Sequence, residues 1–276
     1  MEFVKTAELI AAAITGGEMP LMSAEDYYSG IDASATDETL KLQLKDLVSN
    51  KTVVSYDGVW EAFKTVDKFL PGYPCNESDD SMIPDIYSGY CWKNEKTTGG
   101  ECGSYKKEGD CFNREHSWPK SWFGGFSAGH DAQTDLFELW PSDGYVNGLR
   151  ANLPFGYVKE GTETYTSTNG SVIGTCKSDE SQGKCFEIAD NLKGDLARTY
   201  FYLSVAYYKV WECCDEAGVD KWDMKTWMED DMRAWHKNDP VDDLEVKRND
   251  EIYNNHQHNR NPFIDNPSWV DRIADF

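Results

Sequence analysis

Two stretches decide how the chain is read. The first is Phe112-Asn113-Arg114-Glu115-His116-Ser117-Trp118-Pro119-Lys120. The second is Asp135-Leu136-Phe137-Glu138-Leu139-Trp140-Pro141-Ser142-Asp143-Gly144-Tyr145-Val146-Asn147-Gly148-Leu149-Arg150. In the first, a carboxylate beside an imidazole supplies a metal ligand and a general base in one short segment. In the second, Asp135 to Trp140 alternate like a strand, Pro141 ends the run, and Ser142 or Asp143 can cap a short helix. The order is strand, long connection, strand, helix, with Glu115 and His116 on the first strand and Asn147 on the helix. Asn147 and Arg150 are three apart and share a helix face. An amide and a carboxylate oxygen suit a hard cation such as Mg²⁺, which keeps most of its waters. The fork of Arg150 can hold a phosphate oxygen. Strand neighbours point to opposite faces, so Glu115 and His116 share a site only if the strand bends or ends there. Each piece alone is weak. A surface acid beside a packed His, or an Asn turning before a Gly, is ordinary.

Outward from these stretches, apolar spacing predicts helix within 24–69, where Leu40, Leu42, Leu44 and Leu47 are followed by Val59, Trp60, Phe63, Val66 and Phe69. Pro71 to Pro74 break that pattern. Residues 75–110 read as irregular, and 159–184 as strands and turns around Asn169-Gly170. Residues 187–212 predict the clearest helix, with one broad apolar face, and 222–237 predict another. The tail from Asp239 is polar and interrupted by Pro240, Pro262 and Pro267. No repeat or linker divides the chain, which reads as one mostly helical domain with a small irregular β element. Met1 to Ile14 makes a poor signal peptide, because Glu2 and Glu8 flank too short an apolar run, and it reads as a short helix.

The 276 residues hold 8 Cys and no Cys-x-x-Cys, which predicts disulfides in an oxidising compartment. Cys102/Cys111 and Cys176/Cys185 each close a short polar loop. The adjacent Cys213 and Cys214 are expected to pair with separate, distant partners, Cys75 and Cys91. No run approaches 18 apolar residues, so no membrane span is expected. The formal net charge of −22 argues against a generic nucleic-acid binder, since phosphate affinity rests on Lys and Arg. That charge lies mostly outside the two decisive stretches. Residues 111–158 carry Arg114, Lys120 and Arg150 against five acids, a balance of −2. Weak nucleic-acid binding, relying on a cation and a few local basic groups, is the expectation.

Taken in order, several segments resemble the endonuclease I family, secreted and periplasmic non-specific nucleases of the ββα-metal (His-Me finger) group. The matching residues are Asn113 to Trp122, then Asp135-Leu136, Leu139, Pro141-Ser142-Asp143, Val146-Asn147-Gly148, Arg150, Asn152, Pro154-Phe155-Gly156, Gly194 to Arg198 and Asn259 to Asp265, and the helix-rich start with Tyr27-Tyr28 and Trp60 is similar too. The resemblance spans 24–275 with gaps. It implies an α+β fold: a mostly helical, disulfide-stabilised single domain over 24–276 around a central ββα-metal motif, behind an N-terminal extension at 1–23. It implies a secreted or periplasmic, metal-dependent endonuclease, monomeric and free of membrane, acting on DNA and potentially RNA and leaving 5′-phosphate ends. His116 would be the general base. Glu115 and Asn147 would bind Mg²⁺, with Mn²⁺ or Ca²⁺ as substitutes. Two departures stand out. Many members carry His where this chain has Phe137 or Glu138. Some place an Arg between the base and the metal helix, whereas residues 117–146 hold no Arg here, so Arg150, Arg114 or Lys120 would have to serve. His130, His236, His256 and His258 read as structural or solvated, and Trp118 and Trp122 as core or groove edge. The alternative function is a catalytically weak or inactive secreted binding module on the same scaffold. A weaker third reading is a phosphodiesterase for small esters.

Overall fold

The computed structural model describes residues 22–68, 75, 82–93, 102–125, 131–181 and 183–276. The expectations for Met1 to Ile14, for the Pro71–Pro74 break and for His130 lie outside the described residues. The chain divides into two compact units at Ser34/Ala35. The first holds the short helix α1 (Ala24–Tyr27), whose N-cap Ser23 hydroxyl accepts from the Asp26 amide at 3.1 Å.

In the second unit, the helical pattern before residue 69 resolves into α2 (Asp37–Val48) and α3 (Gly58–Val66). α2 buries Leu40, Leu44 and Val48, four apart, and α3 buries Val59, Trp60, Ala62, Phe63 and Val66. A hairpin, β1 (Met82–Pro84) and β2 (Cys91–Lys93), follows. β3 (Phe112–His116) pairs antiparallel with β4 (Leu139–Asp143), and α4 (Gly144–Arg150) leaves directly from β4. β5 (Tyr165–Thr166), β6 (Val172–Thr175) and β7 (Lys184–Glu187) form a three-stranded antiparallel sheet. Then come α5 (Lys193–Ala206), the small ladder β8 (Val219–Asp220) with β9 (Asp223–Met224), and the helices α6 (Thr226–Asn238), α7 (Asp243–Asn255) and α8 (Pro262–Asp265). The fold is α+β, with four small sheets among the described residues; β1–β2 and β8–β9 lie in stretches that were not read as strand.

α5 is the centre of the core. Every one of its residues is buried, so it has no solvent face, and it packs against α2 and α6. Its polar residues are matched inside. Arg198 donates Nε to Glu245 at 2.6 Å and NH1 to the Asp239 carbonyl at 2.9 Å. α7 lies in the tail that was read only as polar and interrupted by prolines. Its N-cap Asp242 accepts from the Leu244 and Glu245 amides, and its buried face includes Glu245, Arg248 and Asn249 beside Ile252 and Tyr253. Ion pairs such as Arg248–Asp67 (2.7 Å) let polar residues fill core positions, which erases the apolar period that marks a helix.

Disulfides join Cys102–Cys111 and Cys176–Cys185, as expected. The other two pairings differ from the expectation: Cys75 joins Cys91, and the neighbours Cys213 and Cys214 join each other. Cys214 takes a positive φ of 84°, a local reversal that sequence spacing does not announce.

Candidate active site

The β3–β4 ladder sets Phe112 opposite Asp143 and His116 opposite Leu139, so α4 begins beside the start of β3. Asp143, rather than Ser142, caps α4, accepting from the Tyr145 and Val146 amides at 2.9 Å each. Gly144 has to be glycine: a Cβ there would lie 2.0 Å from Cys102 Sγ. The Cys102–Cys111 disulfide therefore presses directly on the helix start.

β3 ends at His116, and Glu115, His116 and Asn147 all line one open cavity of about 630 Å³. Ending the strand there is what lets adjacent residues share it. His116 is buried, with Nε2 at 3.1 Å from the Gln133 carbonyl. A carbonyl only accepts, so Nε2 carries the proton of the neutral ring and Nδ1 holds the lone pair. Burial, helped by the positive charges of Lys120, Arg114 and Arg150, pushes the His116 pKa down to about 3, which keeps the imidazole neutral at physiological pH.

Glu115 is also buried. Burial pushes its pKa up, while the Arg150 guanidinium and the Tyr87 hydroxyl pull it back. Both partners donate to Oε1, Tyr87 OH at 2.6 Å and Arg150 NH1 at 2.6 Å. Oε2 takes no hydrogen bond among the described residues. Asn147 donates Nδ2 to Ser142 Oγ at 3.1 Å, and its Oδ1 likewise takes none. Two oxygens without protein donors, one anionic, suit a hard cation that keeps much of its water. Among the described residues no group of three or more His, Cys, Asp or Glu gathers as a metal cluster, so any cation here would rely on this carboxylate–amide pair.

Arg150 departs from the phosphate-holding role that its spacing from Asn147 suggested. It is fully buried beneath the cavity. Nε donates to the Leu153 carbonyl (3.1 Å), NH1 to Glu115 and the His116 carbonyl (3.1 Å), and NH2 to the Ser117 carbonyl (2.6 Å). All three nitrogens are thus engaged within the protein, around the residues that line the cavity. Tyr87 was missed by sequence reading. It lies in an irregular stretch without periodicity, and its place is set by Asp85, which accepts from the Tyr87 and Ser88 amides and from Trp92 Nε1. Of the cavity residues contributed by the segment around α3, Tyr56 was not singled out, and Trp60 was read in the helical pattern and the family resemblance but not as a site residue.

The other singled-out residues sit in structural roles. Trp118 and Trp122 are both fully buried. His236 Nδ1 contacts Arg198, His256 lies by Thr65 and Glu251, and His258 Nδ1 faces the Tyr253 carbonyl. Arg260 pairs with Asp250 and Asp265, and Asn261 caps α8.

Glu138 is fully buried but outside the cavity lining. Oε2 accepts from Ser117 Oγ and the Trp118 amide, both at 3.2 Å, so it holds the turn after β3, while Oε1 has no partner among the described residues. Burial raises its pKa well above 4.5, with Asp135 and Glu115 adding to the rise. A raised native pKa means the native state binds more protons, so this group's stabilisation is complete below the unfolded pKa and is lost as pH rises. Glu138→Gln, which imitates the neutral acid, is expected to gain on the wild type from pH 5 to pH 8, by up to about 1.4 kcal/mol per pH unit. Parallel melting curves across that range would contradict this.

Fold and site together describe a disulfide-bonded α+β protein with a polar cavity built on a β-strand pair and the helix that follows it. The profile of the Endonuclease I family matches residues 36–268. The chain is 35% identical over 259 residues to an extracellular ribonuclease of Bacillus subtilis (strain 168), covering 92% of this chain and 80% of that protein. It is 34% identical over 260 residues to an extracellular ribonuclease of Bacillus amyloliquefaciens, with the same coverage of 92% and 80%. The chain belongs to the endonuclease I family, a family of phosphodiester-hydrolysing nucleases. The disulfides fit an oxidising compartment, and no helix among the described residues is long and apolar enough to cross a membrane.

Proposed function

We propose that the protein is a secreted, sequence-non-specific endonuclease that hydrolyses RNA and DNA with one divalent cation and His116 as general base. The observation that carries this reading is the meeting of Glu115, His116 and Asn147 on one cavity, with the Oε2 and Oδ1 oxygens accepting no hydrogen bond among the described residues. Glu115 and Asn147 would hold the cation, Mg²⁺ by preference, with Mn²⁺ or Ca²⁺ as substitutes. When bound, it would offset the charge that builds on the phosphate and on the leaving oxygen. His116 accepts a proton from the attacking water at Nδ1, the nitrogen opposite the Gln133 contact. The new bond joins that water oxygen to phosphorus, the bond to the 3′ oxygen breaks, and that oxygen takes a proton from a second water, leaving a 5′-phosphate and a 3′-hydroxyl. Arg150 and Tyr87 do not touch substrate. They orient the Glu115 carboxylate by occupying Oε1, so that Oε2 is presented for the cation. RNA comes into the reading from the names of the two Bacillus relatives, beside the DNA that the resemblance suggested.

The test is incubation of the oxidised protein with plasmid DNA and with a long single-stranded RNA, in Mg²⁺ with and without EDTA. Degradation of at least one polymer that stops in EDTA, with 5′-phosphorylated products, is expected. A folded protein that degrades neither polymer would fit the inactive binding module instead. Cleavage unaffected by EDTA would remove the cation from the reading.

A further inference from the structure

The cavity still needs a group that receives the phosphate, and Arg150 is turned away from it. Its basic lining residues among those described are Arg114 and Lys120. They differ in the geometry they offer a phosphate. The Arg114 guanidinium carbon lies 3.4 Å from the centre of the Tyr56 ring and 4.5 Å from that of Trp60, and NH1 donates to the Tyr56 carbonyl. Trp60 is itself fixed edge-on against Phe112, at 5.2 Å and 89°. The guanidinium plane is thus set from two sides, by the α3 segment and by β3, before any substrate arrives. Stacking of this kind is open to a planar guanidinium but not to an ammonium. Lys120 begins the 3₁₀ turn after β3, and its ammonium is a point charge rather than a planar fork.

We propose that Arg114 is the phosphate-binding residue of this site, its stacked guanidinium meeting the non-bridging oxygens of a nucleic-acid phosphate in the cavity. This rests on the nuclease reading above. Arg114 precedes Glu115 by one residue and His116 by two, so the anchor, the cation-binding carboxylate and the base come from one strand end. A phosphate gripped there is presented to both without a separate element having to close. It also reconciles a chain of net charge −22 with a polyanionic substrate: a single pre-set fork makes the contact, and the rest of the surface need not be basic.

The alternative is that Arg114 only packs. Arg114→Gln separates the two, because it keeps a polar side chain beside the Tyr56 and Trp60 segment but has no charge. Binding is read by fluorescence anisotropy of a labelled 12-nucleotide single strand, DNA and RNA, on the His116→Ala protein in Ca²⁺, from 50 to 200 mM salt. Cleavage is read with His116 intact in Mg²⁺. Arg114→Gln is expected to weaken binding about 10-fold, to lower the salt slope by about 0.7, one phosphate on a single strand, and to raise KM more than it lowers kcat. Arg114→Lys, the second variant should Gln fail to fold, is expected to keep the slope and bind about 3-fold more weakly than Arg, for want of a fork. A folded Arg114→Gln with unchanged Kd, slope and KM overturns the assignment, and so does an Arg114→Lys equal to the parent. If the wild type neither binds nor cleaves either polymer, the nuclease reading falls and takes this one with it. Wild-type cleavage with indifferent Arg114 variants defeats the anchor alone.

Discussion

His116→Ala is expected to lower the rate of nucleic-acid cleavage about 10²- to 10⁴-fold, the range over which a positioned general base acts, with little change in fold. The His116 ring is held at Nε2 by the Gln133 carbonyl, so its tautomer is set and Nδ1 is the basic nitrogen. Its burial keeps it neutral, which leaves the lone pair available across the physiological range. An alanine there removes the only imidazole among the described cavity-lining residues. Ala also gives up the buried ring's Nε2 contact to the Gln133 carbonyl and its tilted packing on Phe123 at 6.5 Å, so a melt beside the rate separates lost chemistry from lost packing. The check is initial cleavage rate together with a thermal melt. A variant that retains more than about a tenth of the wild-type rate would exclude His116 as the base, because a base contributes at least about two decades.

Arg150→Met is expected to have the largest effect on stability, a loss of about 3–5 kcal/mol. Breaking a buried pair strands the partner charge. Here the stranded group is Glu115, which would keep only the Tyr87 hydroxyl on Oε1. The carbonyls of His116, Ser117 and Leu153 lose a donor at the same stroke, though Tyr200 OH still donates to Ser117 at 2.7 Å. For a unit of this size that corresponds to a fall in Tm on the order of 10 °C. Arg150→Lys should recover little, since one ammonium cannot reach along three nitrogen directions. Below the melting point of that variant, kcat should still be depressed, because Glu115 is no longer held with Oε2 outward. A variant that melts within 2 °C of the wild type, or a Lys variant with wild-type kcat, would refute the positioning role.

The two halves of this pair of predictions show what kind of information each came from. Glu115, His116 and Asn147 were singled out by residue type and order along the chain, and the order strand, connection, strand, helix and the Asp cap hold. The second strand, however, does not run over Asp135–Trp140 to a stop at Pro141: it runs over Leu139–Asp143, buried throughout, with Pro141 inside it opposite Arg114. The spacing of Arg150 from Asn147 was read correctly as one helix face. What that face meets was not readable, because burial depends on elements distant in sequence. Tyr87, Phe155 and the end of β3 close over Arg150, and nothing local distinguishes an arginine aimed at solvent from one aimed at a carboxylate 35 residues away. α7 fails in the opposite sense. Its helix signal is masked because Glu245, Arg248 and Asn249 are buried through partners supplied by α5, Asp67 and the Asn261 loop.

The cysteines divide along the same line. Cys102–Cys111 and Cys176–Cys185, each nine residues apart, close loops short enough to be seen in the sequence. The pairing of Cys75 with Cys91 and of Cys213 with Cys214 depends on backbone turns rather than on composition. By itself, then, the sequence determined the family, the order of the site-bearing elements and the chemical types gathered at the site, because these are written in residue identity and short-range period. Tertiary structure alone decided which basic residue faces the cavity and which lies under it. It did so by placing Tyr56 and Trp60 against Arg114, and Glu115 with three carbonyls against Arg150. A cation goes where its partners are, and those partners are assembled only by the folded chain.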